Sequence, residues 1–261
     1  MDIENELLNQ LSSFANQIAD KSGEVVRRYY RNLNDVEAKE DSSPVTIADR
    51  EAEKTLRKMI NQKYPEHGIQ GEEFGIENEG AEYKWIIDPI DGTLSFMIGR
   101  PIFGTLIGLL KNNEPILGVI DQPINNERWV GASNSKTKFN DKTVEFSNCQ
   151  YLKDATLCTT APNYYTPKKL AIFNEIASKA KYNIYGGDCY NYGLAASGNV
   201  DVVLDSGLKQ HDFLPIIPII KGSGGIISDW NGNDLDINSN GDIIICSNKN
   251  LHDEILKVIN D

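Results

Sequence analysis

Residues 85–93 read WIIDPIDGT, in which an apolar strand leads directly into two carboxylates. Asp88 and Asp91 lie on either side of Pro89, which removes one backbone donor and stiffens the turn. Such a turn can direct both carboxylates and the Ile90 carbonyl at one point. Hard divalent cations such as Mg²⁺ prefer this all-oxygen set. Taken alone, the motif is explained equally well as a polar turn that closes a buried strand.

The end of the motif adds a contact for phosphate. Gly92 and Thr93 begin a segment that can open a helix. Free backbone N–H groups at a helix N-terminus bind phosphate well. The motif therefore predicts a phosphate beside a divalent cation.

A second acidic pair, Glu72-Glu73, lies between two glycines in the sequence GEEFG at 71–75. Adjacent carboxylates repel each other unless water or a cation neutralises them, and a solvated loop is the commoner outcome. Asp49 and Asp212 each stand in the first turn of a predicted helix, where a carboxylate also has a plain capping role. Considered together, these acidic residues favour a metal site over separate structural roles. Four carboxylates and a peptide carbonyl would form a two-metal oxygen site for phosphoryl transfer. The four are Glu72, Asp88, Asp91 and Asp212.

The pattern around these motifs predicts alternating helices and strands. Apolar residues at three- and four-residue spacings predict a helix over the first 32 residues, followed by a polar segment at 34–43. A second helix begins at Thr46, where Thr46 and Asp49 fit a capping box, and ends at Pro65. Strands are expected at Lys84–Ile87, Ile102–Leu110, Ile116–Asp121, Arg128–Ala132, Val200–Leu204, Gly225–Ser228 and Ile243–Cys246. Helices are expected at Pro167–Ala180, Asp188–Ala196, Asp212–Lys221 and Leu251–Ile259.

This order predicts two parts with a boundary near residue 150. Residues 1–150 read as an α+β part that carries most of the metal ligands. Residues 151–261 read as an α/β part that completes the active site. Such alternation is typical of a layered arrangement of helices and sheets.

Composition narrows the classes of partner. The 261 residues carry 26 basic and 38 acidic side chains, a net charge of −12, which argues against nucleic acid and anionic membranes as ligands. The longest apolar runs are far shorter than the roughly 20 residues that a membrane helix needs. The four cysteines show no C-x-x-C pairing, and the acidic N-terminus shows no signal-peptide pattern. We therefore expect a reducing, cytoplasmic environment.

Taken together, the motifs closely resemble those of the inositol monophosphatase superfamily, which comprises Mg²⁺-dependent, lithium-sensitive phosphatases. The resemblance runs from Lys39 to Trp230 and rests on residues 85–93, on His211-Asp212 and on Gly224-Gly225. It implies a layered αβαβα sandwich, usually a homodimer, that uses two or three Mg²⁺ ions and is inhibited by Li⁺.

The resemblance also implies a role for each matching residue. Glu72, Asp88 and the Ile90 carbonyl would hold a first ion, and Asp88, Asp91 and Asp212 a second. Glu73 would support a third, weaker ion. Asp49 and Thr93 would activate the attacking water together with Glu72, while Asp91 and the amides of Gly92 and Thr93 would contact the substrate.

Within the superfamily the chain looks most like the histidinol-phosphate phosphatase branch. The resemblance rests on residues 186–194 (GGDCYNYGL) and 205–209 (DSGLK). Histidinol carries an ammonium group and an imidazole, which carboxylates recognise through charge-assisted hydrogen bonds. Asp188 and Asp205 would supply two such carboxylates, although Asp188 also fits an ordinary helix cap.

Two residues depart from the family pattern. Leu94 stands where this branch often has Lys or Arg, which puts control of the phosphate or the metal loop in doubt. His211 replaces the usual aromatic residue before the second aspartate and changes the surroundings of Asp212. Neither change removes a predicted ligand.

The sequence therefore predicts a metal-dependent phosphoric monoester hydrolase. The expected reaction is hydrolysis of L-histidinol phosphate to L-histidinol and phosphate, in histidine biosynthesis, by metal-activated water. One alternative keeps the reaction and changes the substrate to inositol 1-phosphate or another small sugar phosphate. An alternative of another class is an interaction protein in transcription complexes, because some relatives of these phosphatases serve there.

Overall fold

The computed structural model describes residues 3–32, 36–38 and 44–260, with side chains described for 5–32 and 46–260. The predicted polar segment at 34–43 lies outside the described residues, apart from 36–38. The described part contains α-helices α1 (Ile3–Tyr29), α2 (Ile47–Lys63), α3 (Thr93–Met97), α4 (Pro167–Lys179), α5 (Asp188–Ala196), α6 (Gln210–Phe213), α7 (Ile216–Gly222) and α8 (Lys249–Asn260).

Most strands come from the first 143 residues. They are β1 (Val36–Ala38), β2 (Pro44–Thr46), β3 (Gly68–Gly71), β4 (Gly75–Glu77), β5 (Tyr83–Asp91), β6 (Gly104–Lys111), β7 (Glu114–Gln122), β8 (Glu127–Ala132), β9 (Lys138–Phe139) and β10 (Lys142–Thr143). The later strands are β11 (Thr156–Thr159), β12 (Tyr182–Tyr185), β13 (Val202–Asp205), β14 (Ile226–Ser228) and β15 (Ile243–Cys246).

Two mixed sheets organise these strands. The larger sheet has eight strands in the order β10-β9-β8-β7-β6-β5-β3-β4, and β3 runs parallel to β5. The smaller sheet has five strands in the order β12-β11-β13-β15-β14. A separate two-stranded ribbon pairs β1 with β2.

Helices separate and cover the two sheets in five layers. One buried cluster joins α1 and α2 to the larger sheet, and includes Ile18, Leu56 and Trp85. A second cluster joins the other face of that sheet to α5, α7 and the smaller sheet, and a third joins the outer face of the smaller sheet to α4 and α8. The predicted αβαβα sandwich is confirmed. The division at residue 150 stays a prediction. Helices α5 and α7 belong to the second predicted part, and they pack against both sheets.

The local predictions are largely confirmed. Thr46 caps α2 as predicted: its Oγ1 accepts hydrogen bonds from the Ala48 and Asp49 amides, and Asp49 Oδ2 accepts one from the Thr46 amide. The single helix predicted over Asp212–Lys221 is wrong, because the chain forms α6 and α7 with a break at Leu214-Pro215. A proline has no N–H to continue the helical ladder. None of the described helices is long and apolar enough to cross a membrane.

Candidate metal centre and substrate cleft

The parallel pairing of β3 with β5 brings Glu72 beside Asp88. The two strands are aligned so that Gly71 lies opposite Ile87, and Glu72 and Asp88 are the next residue of each. The Glu72 amide also donates a hydrogen bond of 3.3 Å to the Ile87 carbonyl. Two acidic residues that are 16 positions apart in sequence therefore meet at one end of the sheet.

An irregularity in β5 then turns Asp91 toward the same place. The register with β6 shifts between Asp88 and Asp91, and the Ile90 amide donates a 3.0 Å hydrogen bond to Asp88 Oδ1. Asp91 Oδ2 accepts a hydrogen bond from the Cys189 amide in the first turn of α5. The turn at Pro89 therefore directs both carboxylates into the lining of one cleft.

The short helix α6 adds His211 and Asp212 from the far end of the chain. The Lys209 amide donates a 2.7 Å hydrogen bond to Asp212 Oδ2, so the carboxylate also caps its own helix. Two groups of potential ligand atoms result, and within each group all atoms lie within 4.8 Å of one another. One group contains Glu72, Asp88 and His211, and the other contains Asp88, Asp91 and Asp212.

The electrostatics of this cluster suit a cation. Burial raises the pKa of Asp88 well above its ordinary value, and the charges of Glu72, Asp91 and Asp212 raise it further. Burial likewise raises the pKa of Asp91, helped by Asp188 and Asp212, and burial raises that of Asp212. Buried carboxylates that repel one another are stabilised by a bound divalent ion, because it removes the repulsion. The donor set therefore fits a metal.

Asp49 and Thr93 lie next to this cluster. Asp49 is fully buried, and besides its capping bond it faces the Thr93 hydroxyl, whose oxygen is 3.5 Å from Asp49 Oδ1 and 3.2 Å from the Ile90 carbonyl. Burial raises the pKa of Asp49 to about 6, although hydrogen bonds from Thr46 lower it, and Glu73 and Glu72 contribute a further rise. Asp49 thus caps α2 with one oxygen and presents the other to Thr93.

Glu53 supports the Glu72-Glu73 loop and was missed by the sequence analysis. Its buried carboxylate accepts hydrogen bonds from the Glu73 amide at 2.7 Å and the Phe74 amide at 3.1 Å, and from Arg57 Nε at 2.8 Å. A side chain at Gly71 would collide with the same carboxylate. Gly71 is the one sequence feature that could have indicated this contact, because the absence of a side chain there lets the Glu53 carboxylate approach the backbone.

Asp188 closes the cleft over Gly92. Gly92 has φ of +89°, and a Cβ there would lie 2.7 Å from Asp188 Oδ2. The Asp188 carboxylate accepts a 2.9 Å hydrogen bond from the Ser95 hydroxyl in α3, away from its own helix. Burial raises the pKa of Asp188, while Ser95 and the nearby Arg100 lower it. The structure shows no side-chain cap hydrogen bond at the start of α5 and places Asp188 in the cleft lining, and its contact with substrate stays a prediction.

The metal-ligand cluster, Gly92, Thr93 and Asp188 line one cleft of about 400 Å³. It is within the range of small-molecule sites. Its lining comprises Glu72, Asp88, Ile90, Asp91, Gly92, Thr93, Leu94, Tyr164, Asp188, Gly207, Lys209, His211 and Asp212.

Comparison with known proteins agrees with this arrangement. A model of the inositol monophosphatase family matches residues 7–261. The chain belongs to this family. The family is one of phosphatases, and its members generally depend on metal ions. Hydrolysis of phosphoric monoesters is the chemistry that this membership supports.

Individual members of the family are similar over most of the chain. The chain is 47% identical to the chloroplastic bifunctional phosphatase IMPL2 of Arabidopsis thaliana over 227 residues, which are 86% of this chain and 66% of that protein. It is 34% identical to a histidinol-phosphatase of Chlorobaculum parvum, covering 86% of this chain and 88% of the relative. The structure of an inositol monophosphatase from Zymomonas mobilis matches all of both chains with a TM-score of 0.89 and 38% identity.

Within this family framework, three predicted site residues lie apart from the cleft lining, namely Asp49, Glu73 and Asp205. Asp49 reaches the cleft only through Thr93, as described above. Asp205 is buried, and its carboxylate accepts hydrogen bonds from the Thr159, Thr160 and Tyr192 side chains and from the Thr160 amide. Burial raises its pKa to about 6, although these donors lower it. Glu73 lies close enough to Asp49 to raise its pKa. Direct contact of Asp205 with substrate, and of Glu73 with a third ion, stay predictions.

Proposed function

We propose that this protein is a Mg²⁺-dependent phosphomonoesterase that hydrolyses L-histidinol phosphate to L-histidinol and phosphate. The observation that carries the proposal is the position of Asp188, whose carboxylate contacts the space above Gly92 in the same cleft as the metal-ligand cluster. A carboxylate there favours a leaving group that carries positive charge. The histidinol-phosphatase of Chlorobaculum parvum, which is 34% identical to this chain, supports this choice of substrate class.

Glu72, Asp88, Asp91, Asp212 and the Ile90 carbonyl would hold the metal ions. When bound, Mg²⁺ supplies positive charge that activates water and stabilises the leaving oxygen. All-oxygen ligands are the set that this ion prefers.

The chain's own groups would orient the reactants. The amides of Gly92 and Thr93 open α3 at the cleft and would bind phosphate oxygens. The Thr93 hydroxyl would accept a proton from the attacking water as it passes its own proton to Asp49 Oδ1, and a pKa of about 6 for Asp49 suits a base that works near neutral pH. Asp188 would hold the ammonium group of histidinol.

The exposed side chain of Leu94 gives the cleft an apolar rim at the position where this branch often has a cation. Leu94 itself would then contribute no charge to the binding of phosphate. The implied homodimer and cytoplasmic location also belong to the proposal, and light scattering and localisation of a tagged chain would check them.

Hydrolysis of inositol 1-phosphate is the second candidate, because the Zymomonas mobilis inositol monophosphatase matches the whole chain at 38% identity. Phosphate release from the two substrates, measured in parallel with Mg²⁺, separates the candidates. We expect kcat/KM to favour histidinol phosphate by about a hundredfold or more, about 2.7 kcal/mol in transition-state binding. Equal or reversed rates would make the substrate assignment wrong and leave the phosphatase proposal in place.

A further inference from the structure

His211 has surroundings unlike those of the other two histidines. His67 is stacked between Tyr64 and Tyr83, and its Nδ1 is 3.1 Å from Trp85 Nε1. His252 Nε2 lies 2.7 Å from the Ser228 hydroxyl. These two rings fill structural positions. His211, which is equally buried, lines the cleft, and its Nε2 lies 3.5 Å from Asp212 Oδ1.

A ring nitrogen of His211 also lies within metal-ligand reach of two carboxylates. Together with oxygens of Glu72 and Asp88 it forms a three-atom group whose members all lie within 4.8 Å of one another. Asp88 belongs to the all-carboxylate group as well. The two groups therefore share one ligand but differ in chemistry, because only one of them includes nitrogen.

That difference affects which ion each group binds best. Carboxylate and carbonyl oxygens suit Mg²⁺, whereas imidazole nitrogen suits transition ions, whose affinity for mixed nitrogen and oxygen sites rises from Mn²⁺ toward Co²⁺ and beyond. We infer that His211 is a metal ligand and that the Glu72–Asp88–His211 group binds a divalent transition ion more tightly than Mg²⁺. The inference rests on the proposed function only in placing a metal at this cluster.

Metal binding to the full chain, stripped of metal with a chelator, tests the inference without any turnover. Co²⁺ is the probe, because its visible absorption reports a nitrogen ligand, and Mg²⁺ binding is followed separately by calorimetry. The variant His211→Phe restores an aromatic residue of the kind usual at this position, and His211→Gln keeps a polar side chain in case the first variant folds poorly. His67→Phe is the matched control, since it removes an equally buried imidazole outside the cleft.

We expect both His211 variants to weaken Co²⁺ binding by at least about tenfold and to change the absorption spectrum, while Mg²⁺ affinity shifts by less than about threefold. His67→Phe should leave the Co²⁺ spectrum unchanged. Unaltered Co²⁺ affinity and spectrum in folded His211 variants would overturn the inference, as would wild-type protein that binds Mg²⁺ more tightly than Co²⁺. Failure of the phosphatase assay with an intact Co²⁺ result would refute the proposed function alone.

Discussion

Replacing Gly92 with alanine perturbs the contact on which the substrate assignment depends. Gly92 has φ of +89°, and an added Cβ would lie 2.7 Å from Asp188 Oδ2 and 2.8 Å from its Cγ. Gly224 offers a matched control, since its φ is +90° and a Cβ there meets no atom within 4 Å. Both substitutions place alanine in the left-handed region, but only Gly92→Ala also crowds Asp188.

The expected losses of stability follow from these two terms. A left-handed backbone costs alanine roughly 1–2 kcal/mol, so Gly224→Ala should lower the free energy of unfolding by about that amount. Crowding against a packed neighbour adds about 1–3 kcal/mol, so Gly92→Ala should lose about 2–5 kcal/mol. The loss of unfolded-state entropy is common to both variants and cancels in the comparison.

Urea unfolding of the metal-free protein measures both free energies of unfolding, provided that the slope with urea is the same for each variant. A second substitution, Asp188→Gly, removes the three atoms that the new Cβ would meet. It should recover the extra loss in Gly92→Ala and have no such effect on Gly224→Ala. Equal losses for the two alanine variants would refute the close approach of Asp188 to Gly92.

Three other perturbations test separate parts of the account. Because burial raises the pKa values of Asp88, Asp91 and Asp212, the metal-free folded protein binds more protons than the unfolded chain, and its stability should fall as pH rises above about 4. Mg²⁺ should therefore raise the melting temperature more at pH 8 than at pH 5, and a pH-independent increase in melting temperature would contradict this account of the cluster. Glu53→Gln should weaken Mg²⁺ binding, measured by calorimetry, by about tenfold, because an amide cannot accept all three hydrogen bonds of the carboxylate. Unchanged affinity would show that the Glu72-Glu73 loop keeps its conformation without Glu53. Asp188→Asn should lower kcat/KM for histidinol phosphate by about tenfold or more and leave that for inositol 1-phosphate nearly unchanged, and parallel losses on both substrates would assign Asp188 a general structural role.

Local patterns made much of this fold predictable. The period of apolar residues placed α1 and α2, and Asp188–Ala196 and Ile243–Cys246 were predicted with their observed bounds. The capping box at Thr46 depends only on neighbouring residues, so the sequence contains all the information that it needs. The break at Leu214-Pro215 was local too, but the apolar run across it resembled one continuous helix.

Contacts between segments that are distant in sequence were harder to predict. The carboxylates of Asp88 and Asp91 lie in one motif, but their meeting with Glu72 depends on the parallel register of β3 and β5. Glu53 looked like an ordinary acidic residue of an amphipathic helix, because its amide partners lie 20 and 21 residues away. Asp205 is a further example: the hydrogen bonds that its carboxylate accepts from Thr159 and Tyr192 depend on the fold and could not be read from the sequence, and its contact with substrate stays a prediction.

The most direct test of the carboxylate cluster as the centre of catalysis is the rate of phosphate release by Asp91→Asn. The assay uses saturating Mg²⁺ and whichever of histidinol phosphate and inositol 1-phosphate the wild-type protein hydrolyses faster. Circular dichroism confirms that the variant is folded. We predict a rate at least about a thousandfold below wild type, about 4 kcal/mol in activation free energy. A rate close to wild type would contradict the two-metal account.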